Sequence, residues 1–233
     1  MKVSQMRLST ILLCLLLVAP GFCDLQLDTN VVSKNEDHLT IDIKYPAFSG
    51  LAASRQASQS VKKWVDATVA EFEGEFAKAK AEGLGGPPWS LDVDYPNIYQ
   101  TPRLVALFFH GYDYRGGAHG MPVMAPLVIE TASGKSVPPE GLFKPGSAYL
   151  QRLSKLCYQD LIGRKDTNWD EDWLRRGSAP EAANYQVLYP QADGLLVVFP
   201  PYQVDSYAAG PQEVVIPYAK LADILNPKLF SVK

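Results

Sequence analysis

Two apolar runs on either side of one glycine-rich link set the frame for this chain. Leu104-Val105-Ala106-Leu107-Phe108-Phe109 precedes the link and Pro122-Val123-Met124-Ala125-Pro126-Leu127-Val128-Ile129 follows it. Both are short, rich in β-branched or aromatic residues and bounded by turn residues, so they predict strands over 103–112 and 121–131. Upstream, Leu39, Ile41 and Ile43 alternate with Thr40, Asp42 and Lys44, the period of a half-buried strand. That strand, 38–45, is expected to end at Pro46 and to pair with one over 25–33. Val61, Val65, Thr68, Phe72 and Phe76 then recur at three- and four-residue steps, predicting a covering helix over 52–80 that stops in Gly83-Leu84-Gly85-Gly86-Pro87-Pro88. A strand over 89–99, broken at Pro96, leads back to the first apolar run.

Beyond Ala132-Ser133-Gly134-Lys135 the pattern changes. Tyr149, Leu150, Leu153, Leu156, Cys157 and Leu161 form an amphipathic stripe, with Ser147 as its expected N-cap and Gly163 as its stop. A short helix is expected over 168–176. A hairpin over 185–199 follows, turning at Asp193-Gly194. An aromatic loop over 202–211, a strand over 213–216 and a terminal helix over 218–225 complete the reading. Short connections imply mostly antiparallel pairing. The predicted fold is α+β: antiparallel sheets covered by helices, in two closely packed sub-domains, 24–134 and 135–233.

The N-terminus changes the picture of where the chain works. Lys2 and Arg7 precede an apolar run from Leu8 to Ala19, too short to span a bilayer, which needs about 20 residues. With Gly21-Phe22-Cys23 beside it, this reads as a signal peptide over 1–23, cut before Asp24 or after Gly21. A lipid anchor on Cys23 is the rival, but Phe22 stands where lipidation wants a small residue. The expected location is therefore exported and periplasmic, with no transmembrane helix in the mature chain. Removal of 1–23 takes Cys14 and Cys23 with it and leaves Cys157, which cannot form an internal disulfide. It lies on a core stripe, so an inert buried thiol is expected. The whole chain has net charge −3 with no basic run, which excludes nucleic acid as an expected partner.

The link itself, Tyr112-Asp113-Tyr114-Arg115-Gly116-Gly117-Ala118-His119-Gly120, crowds aromatic, cationic and imidazole side chains around three glycines. Tyr202 and Tyr207 occupy the later aromatic loop. Tyrosine gives rigid contact area with a hydrogen-bonding tip, suited to protein or sugar. Tyr112, Tyr114, Arg115, His119, Tyr202 and Tyr207 are therefore the candidate ligand-binding residues; the competing reading is that these rings seal the ends of the sheets. A catalytic set is not evident. There is no Gly-x-Ser-x-Gly elbow and no metal-binding spacing, so neither metal nor cofactor is expected. The alternative to a binding protein is an envelope hydrolase with a metal or His-based site at His110, Asp113 and His119.

Three separated motifs carry a resemblance. Tyr114-Arg115-Gly116-Gly117-Ala118-His119-Gly120, Leu142-Phe143, and Tyr202-Gln203-Val204 through Ala208-Ala209-Gly210-Pro211 to Glu213-Val214-Val215-Ile216-Pro217 resemble exported proteins that pair a DUF4163 (PdaC-type) domain with a DUF3298 domain. The family includes the extracytoplasmic region of the anti-sigma factor RsiV, which binds lysozyme, and the accessory domain of a peptidoglycan deacetylase. The resemblance implies a non-enzymatic cell-envelope binding module whose partner is a lysozyme-like protein or a cell-wall glycan. It identifies no individual contact residue. Only seven residues precede the apolar run, so an anti-sigma role is not expected.

Overall fold

The computed structural model describes residues 25–83, 88–165 and 169–231. The expected signal peptide, 1–23, lies outside the described residues. Strands β1 (Gln26–Glu36) and β2 (Leu39–Ser49), helix α1 (Ser54–Ala81), and strands β3 (Trp89–Gln100), β4 (Leu104–Tyr114), β5 (Met121–Glu130) and β6 (Ser136–Val137) build a six-stranded sheet in chain order. Helices α2 (Tyr149–Ile162) and α3 (Glu171–Gly177) follow, then a meander of β7 (Leu188–Gln191), β8 (Gly194–Phe199) and β9 (Gln212–Ile216). The α+β class and the predominance of antiparallel pairing are as the sequence predicts. The exception is β2 with β3, which run parallel because α1 carries the chain back across the sheet between them.

The unbroken apolar run in β4 follows from burial on both faces. Its odd positions, Val105, Leu107 and Phe109, meet Val61, Val65 and Phe72 of α1, with Trp64 stacked on Phe109 at 4.2 Å. Its even positions, Leu104, Ala106 and Phe108, join the core of the second half, where Phe108 packs on Tyr189 at 5.3 Å. Burying such side chains stabilises by about 1.5–3 kcal/mol each, so β4 ties both layers together. Leu153, Cys157 and Leu161 turn the buried face of α2 onto the β7–β9 sheet. The Cys157 thiol is fully buried and its pKa is raised by that burial, consistent with an inert thiol.

Several element ends differ from the sequence reading, each for a physical reason. β2 runs through Pro46 to Ser49, because β3 leaves it after Ile43 and the rest of β2 is bonded only to β1, where a proline is tolerated. The break at Pro96 is a bulge within a continuous β3, between Asp94 and Asn97. Ser147 does not cap α2: the helix begins at Tyr149 behind Ala148, and the Ser147 hydroxyl is buried without a hydrogen-bond partner among the described residues. Tyr185 belongs to a 3₁₀ turn, and its ring packs on Phe199, so the hairpin starts later, at Leu188. The expected terminal helix over 218–225 is a single 3₁₀ turn, Tyr218–Lys220, followed by turns that return Leu225 to pair with Phe143. No described helix is long and apolar enough to cross a membrane.

Candidate functional site

The glycine-rich link turns at the end of β4. Gly116 and Gly117 both have positive φ, as their spacing suggests. Gly120 is needed for a different reason. A Cβ there would lie 2.4 Å from the Asp113 carbonyl oxygen and 2.7 Å from the Tyr112 ring. The Gly120 N–H instead donates to the Tyr112 hydroxyl at 2.6 Å, and the Gly120 carbonyl accepts from the Tyr207 hydroxyl at 3.0 Å. This one residue therefore draws the aromatic loop of the second half onto the link of the first.

His119 completes the junction. Its ring stacks on Tyr207 with centroids 3.8 Å apart and lies 6.4 Å from the Tyr202 ring at a shallow angle. With its proton on Nδ1, His119 donates to the Gly120 carbonyl at 3.0 Å, and Nε2 accepts from the Tyr202 hydroxyl at 3.3 Å. Tyr202 and Tyr207 are 5.7 Å apart. Partial burial, and then the neighbouring Tyr112, hold the Tyr207 hydroxyl above its usual range, so it is neutral and a hydrogen-bond donor. Four of the six candidate residues thus converge, with Tyr112 at 43% and Tyr202 at 50% exposure leaving ring surface open to solvent.

Tyr202 is held in a conformation that tyrosine avoids. Its φ is +72°, at the third position of a turn closed by a hydrogen bond from Gln203 N–H to the Pro200 carbonyl at 3.1 Å. Pro201 suits the second position of such a turn, and the third ordinarily takes glycine. A non-glycine residue there costs about 1–3 kcal/mol and persists only where its surroundings over-determine it. They do so here. Trp173 Nε1 donates to the Tyr202 carbonyl at 3.1 Å, and Gln203 Nε2 donates to the carbonyls of Gly177 at 2.9 Å and Asn184 at 3.0 Å. Gly177 leaves the space, since a Cβ there would fall 1.9 Å from the Gln203 carbonyl oxygen. Trp173 and Gly177 were not among the residues singled out from the sequence. The Pro200-Pro201-Tyr202 run carried a signal for the turn, but nothing nearby in the sequence pointed to α3 as its support.

Tyr114 and Arg115 lie apart from these rings. The Tyr114 hydroxyl donates to the Gly117 carbonyl within the link. Arg115 turns to α1, where it pairs with Glu75, sits over the Phe72 ring at 5.5 Å, and grips Asp113 through Nε and a terminal nitrogen at 2.6–2.9 Å. Half-burial and then the Glu71 carboxylate push Asp113 up to about 6, while the guanidinium works against that shift, so the carboxylate is ionised and paired at neutral pH.

His110, Asp113 and His119 are not brought together. Asp113 faces α1, on the opposite side of β4 from His110. His110 packs edge-on against Phe108, accepts from Asn97 Nδ2 at 3.2 Å, and borders an open groove of about 500 Å³ with Tyr99, Tyr189 and Glu213. Partial burial keeps its pKa low despite Glu213, so the imidazole is neutral at pH 7. Among the described residues no group of three or more His, Cys, Asp or Glu side chains is placed to hold a metal ion.

Comparison with known proteins fits this two-part construction. Residues 32–122 match the family model described as deacetylase PdaC, and residues 140–219 match the one described as protein of unknown function DUF3298. The chain is 28% identical over 184 residues to the peptidoglycan-N-acetylmuramic acid deacetylase PdaC of Bacillus subtilis (strain 168), covering 79% of this chain and 38% of that protein. The chain thus spans well under half of that relative. The fold is shared with a crystal structure of a DUF3298 family protein from Pseudomonas aeruginosa PAO1, with TM-score 0.63 and 18% identity over 91% of this chain and all of that one. A second, from Bacteroides fragilis NCTC 9343, gives TM-score 0.55 and 18% identity over 87% of this chain and 94% of the other. The first half is PdaC-like and the second half DUF3298-like, and the ring cluster is assembled from both: Tyr112 and His119 from one matched segment, Tyr202 and Tyr207 from the other.

Proposed function

We propose that this chain is an exported cell-envelope binding protein that recognises a peptidoglycan glycan, and that the rings of Tyr112, His119, Tyr202 and Tyr207 form its contact face. The observation that carries this reading is the strained, over-determined presentation of Tyr202 beside a stacked His119–Tyr207 pair. Half-exposed rings with hydrogen-bonding tips suit a ligand that has apolar ring faces and hydroxyl edges. Strain maintained by surrounding contacts marks a place where conformation has been selected for something other than stability. The likeness to a protein named for peptidoglycan supports a wall glycan as the ligand class. No catalytic role is assigned to the cluster, because its one imidazole is committed to the Gly120 carbonyl and the Tyr202 hydroxyl.

The test is calorimetric titration of the purified chain with soluble, lysozyme-free peptidoglycan fragments, with lysozyme itself titrated in parallel. Glycan binding should weaken about tenfold or more in Tyr202→Ala and Tyr207→Ala, the scale on which one aromatic contact contributes to an interface. Arg115→Met should leave it within about twofold, because Arg115 is turned to α1. Glycan binding indifferent to both tyrosines would remove the cluster from the site. Binding to lysozyme alone would replace glycan by protein as the partner, as the RsiV-like resemblance of the motifs allows.

A further inference from the structure

The two edges of the six-stranded sheet are treated differently. At one edge β6 covers only Val128 and Ile129 of β5, and the uncovered length of β5 carries Pro122 and Pro126. Prolines on an edge interrupt the row of N–H groups that another strand would need. The other edge is β1, eleven residues in unbroken register with β2, without proline or bulge. Among the described residues its outer side offers a row of unpaired backbone groups, the template on which a further strand adds. Near its middle Val31 is 56% exposed, the most exposed of the large apolar side chains among the described residues.

The side chains of β1 are complementary to themselves. If a second β1 is laid antiparallel against the first with Val31 opposite Val31, Asp28 falls opposite Lys34 of the partner subunit, and Lys34 opposite Asp28 of the partner subunit. The remaining pairs are Leu27 with Asn35, Thr29 with Ser33, Asn30 with Val32 and Gln26 with Glu36, with no like charges opposed. Moving the centre to Val32 sets Asp28 against Glu36, and moving it to Asn30 sets Asp28 against Val32. Opposite charges directly across a strand pair stabilise it and like charges destabilise it, so this sequence prefers one register. Asp28 forms no ion pair with another described residue, and Lys34, bonded to Glu73 at 2.6 Å and near Glu36 at 3.2 Å, has three donors to share.

We infer that the β1 edge is a self-association surface on which a second copy of this chain pairs antiparallel about Val31, continuing the sheet across a twofold axis. The axis is perpendicular to the sheet, so both copies present α1 on the same face. The paired edge is the strand farthest from β6, which leaves the ring clusters of both copies outside the contact. The interface is isologous, as a symmetric dimer requires.

Sedimentation equilibrium of the purified full chain over a wide concentration range tests this. A monomer–dimer equilibrium is expected. Asp28→Lys, which sets two lysine side chains against each other at both symmetric positions, should weaken it by about tenfold, since two cross-strand pairs change sign. Asp28→Lys combined with Lys34→Asp should restore the dimer, because the pairs are then opposite again. Val31→Lys, which places like charges on the axis, should abolish it. Far-ultraviolet circular dichroism establishes that these surface variants fold. A monomer at every concentration overturns the inference, as does association that Asp28→Lys leaves unchanged or that the charge swap fails to restore.

Discussion

Gly177→Ala sets two physical expectations against each other. Gly177 is the last residue of α3, and its φ is not in the left-handed region. Helix propensity alone therefore predicts that alanine stabilises, by up to about 1 kcal/mol. The tertiary structure predicts the opposite. The new Cβ would fall 1.9 Å from the Gln203 carbonyl oxygen, 2.7 Å from its carbon and 2.9 Å from Val204 Cγ1. Two of these atoms are backbone and cannot rotate aside, so α3 and the 200–203 turn must separate by about 1 Å or more to reach an ordinary contact. Overpacking of this kind costs about 1–3 kcal/mol. The bond from Gln203 Nε2 to the Gly177 carbonyl, at 2.9 Å, is strained with it, for about another 1 kcal/mol. Net destabilisation should be about 1–3 kcal/mol after the helix gain is deducted. Urea unfolding followed by circular dichroism would show a lower midpoint at unchanged slope. Because the same turn holds Tyr202 at positive φ, glycan affinity should fall as well, measured without urea where the variant is folded. A variant as stable as the parent, or more stable, would refute the view that this close approach holds the turn.

Three further predictions follow from particular side chains. Arg115→Met leaves half-buried Asp113 facing Glu71 without its guanidinium, so at pH 7 the variant should be less stable by about 1–2 kcal/mol. Because that carboxyl is pushed up to about 6, the deficit should shrink as pH falls below 6 and the group protonates; a deficit constant from pH 8 to 5 would contradict it. His110 has a folded-state pKa below its unfolded value, so the unfolded chain binds more protons as the pH drops through about 6.5. Stability referable to His110 is full above that pH and declines below it, and His110→Phe should flatten the slope between pH 7.5 and 5.5 in urea titrations, whereas an unchanged slope would exclude it. Ser147→Ala should be neutral or stabilising within about 1 kcal/mol, because its buried hydroxyl has no partner among the described residues, whereas a true N-cap would lose about that much; calorimetric Tm distinguishes the two.

Most of the fold was legible because its elements are carried by local periodicity. The α1 stripe at Val61, Val65 and Phe72 and the α2 stripe at Leu153, Cys157 and Leu161 follow from spacing that a core must respect, and the 188–199 hairpin forms where expected, though it turns at Ala192-Asp193 because Gly194 already pairs with Gln191 in β8. The errors fall where a neighbour overrides the local signal. Pro46 is tolerated because β3 has departed, Ser147 is displaced as a cap because α2 starts later, and Tyr185 packs in a turn on Phe199. At the candidate site, residue types were readable and their partnerships were not. Tyr112, Tyr114, Arg115 and His119 are near neighbours in sequence, yet Arg115 turns to α1 while His119 stacks on Tyr207, 88 positions further along the chain.

By itself the sequence determined the α+β class, the order of nearly all the strands, the apolar faces of α1 and α2, and the aromatic character of two separated loops. Those features depend on local conformational preference and on which side of an element must avoid water. Only the tertiary structure decided that β2 and β3 pair in parallel, that β4 is buried from both sides, and that Gly120 ties Tyr112 to Tyr207. It also decided that Tyr202 is held at positive φ by α3 and that Arg115 turns to α1. Each of these is set by contact between residues far apart in the chain, where no spacing rule reaches and the outcome rests on how whole surfaces fit together.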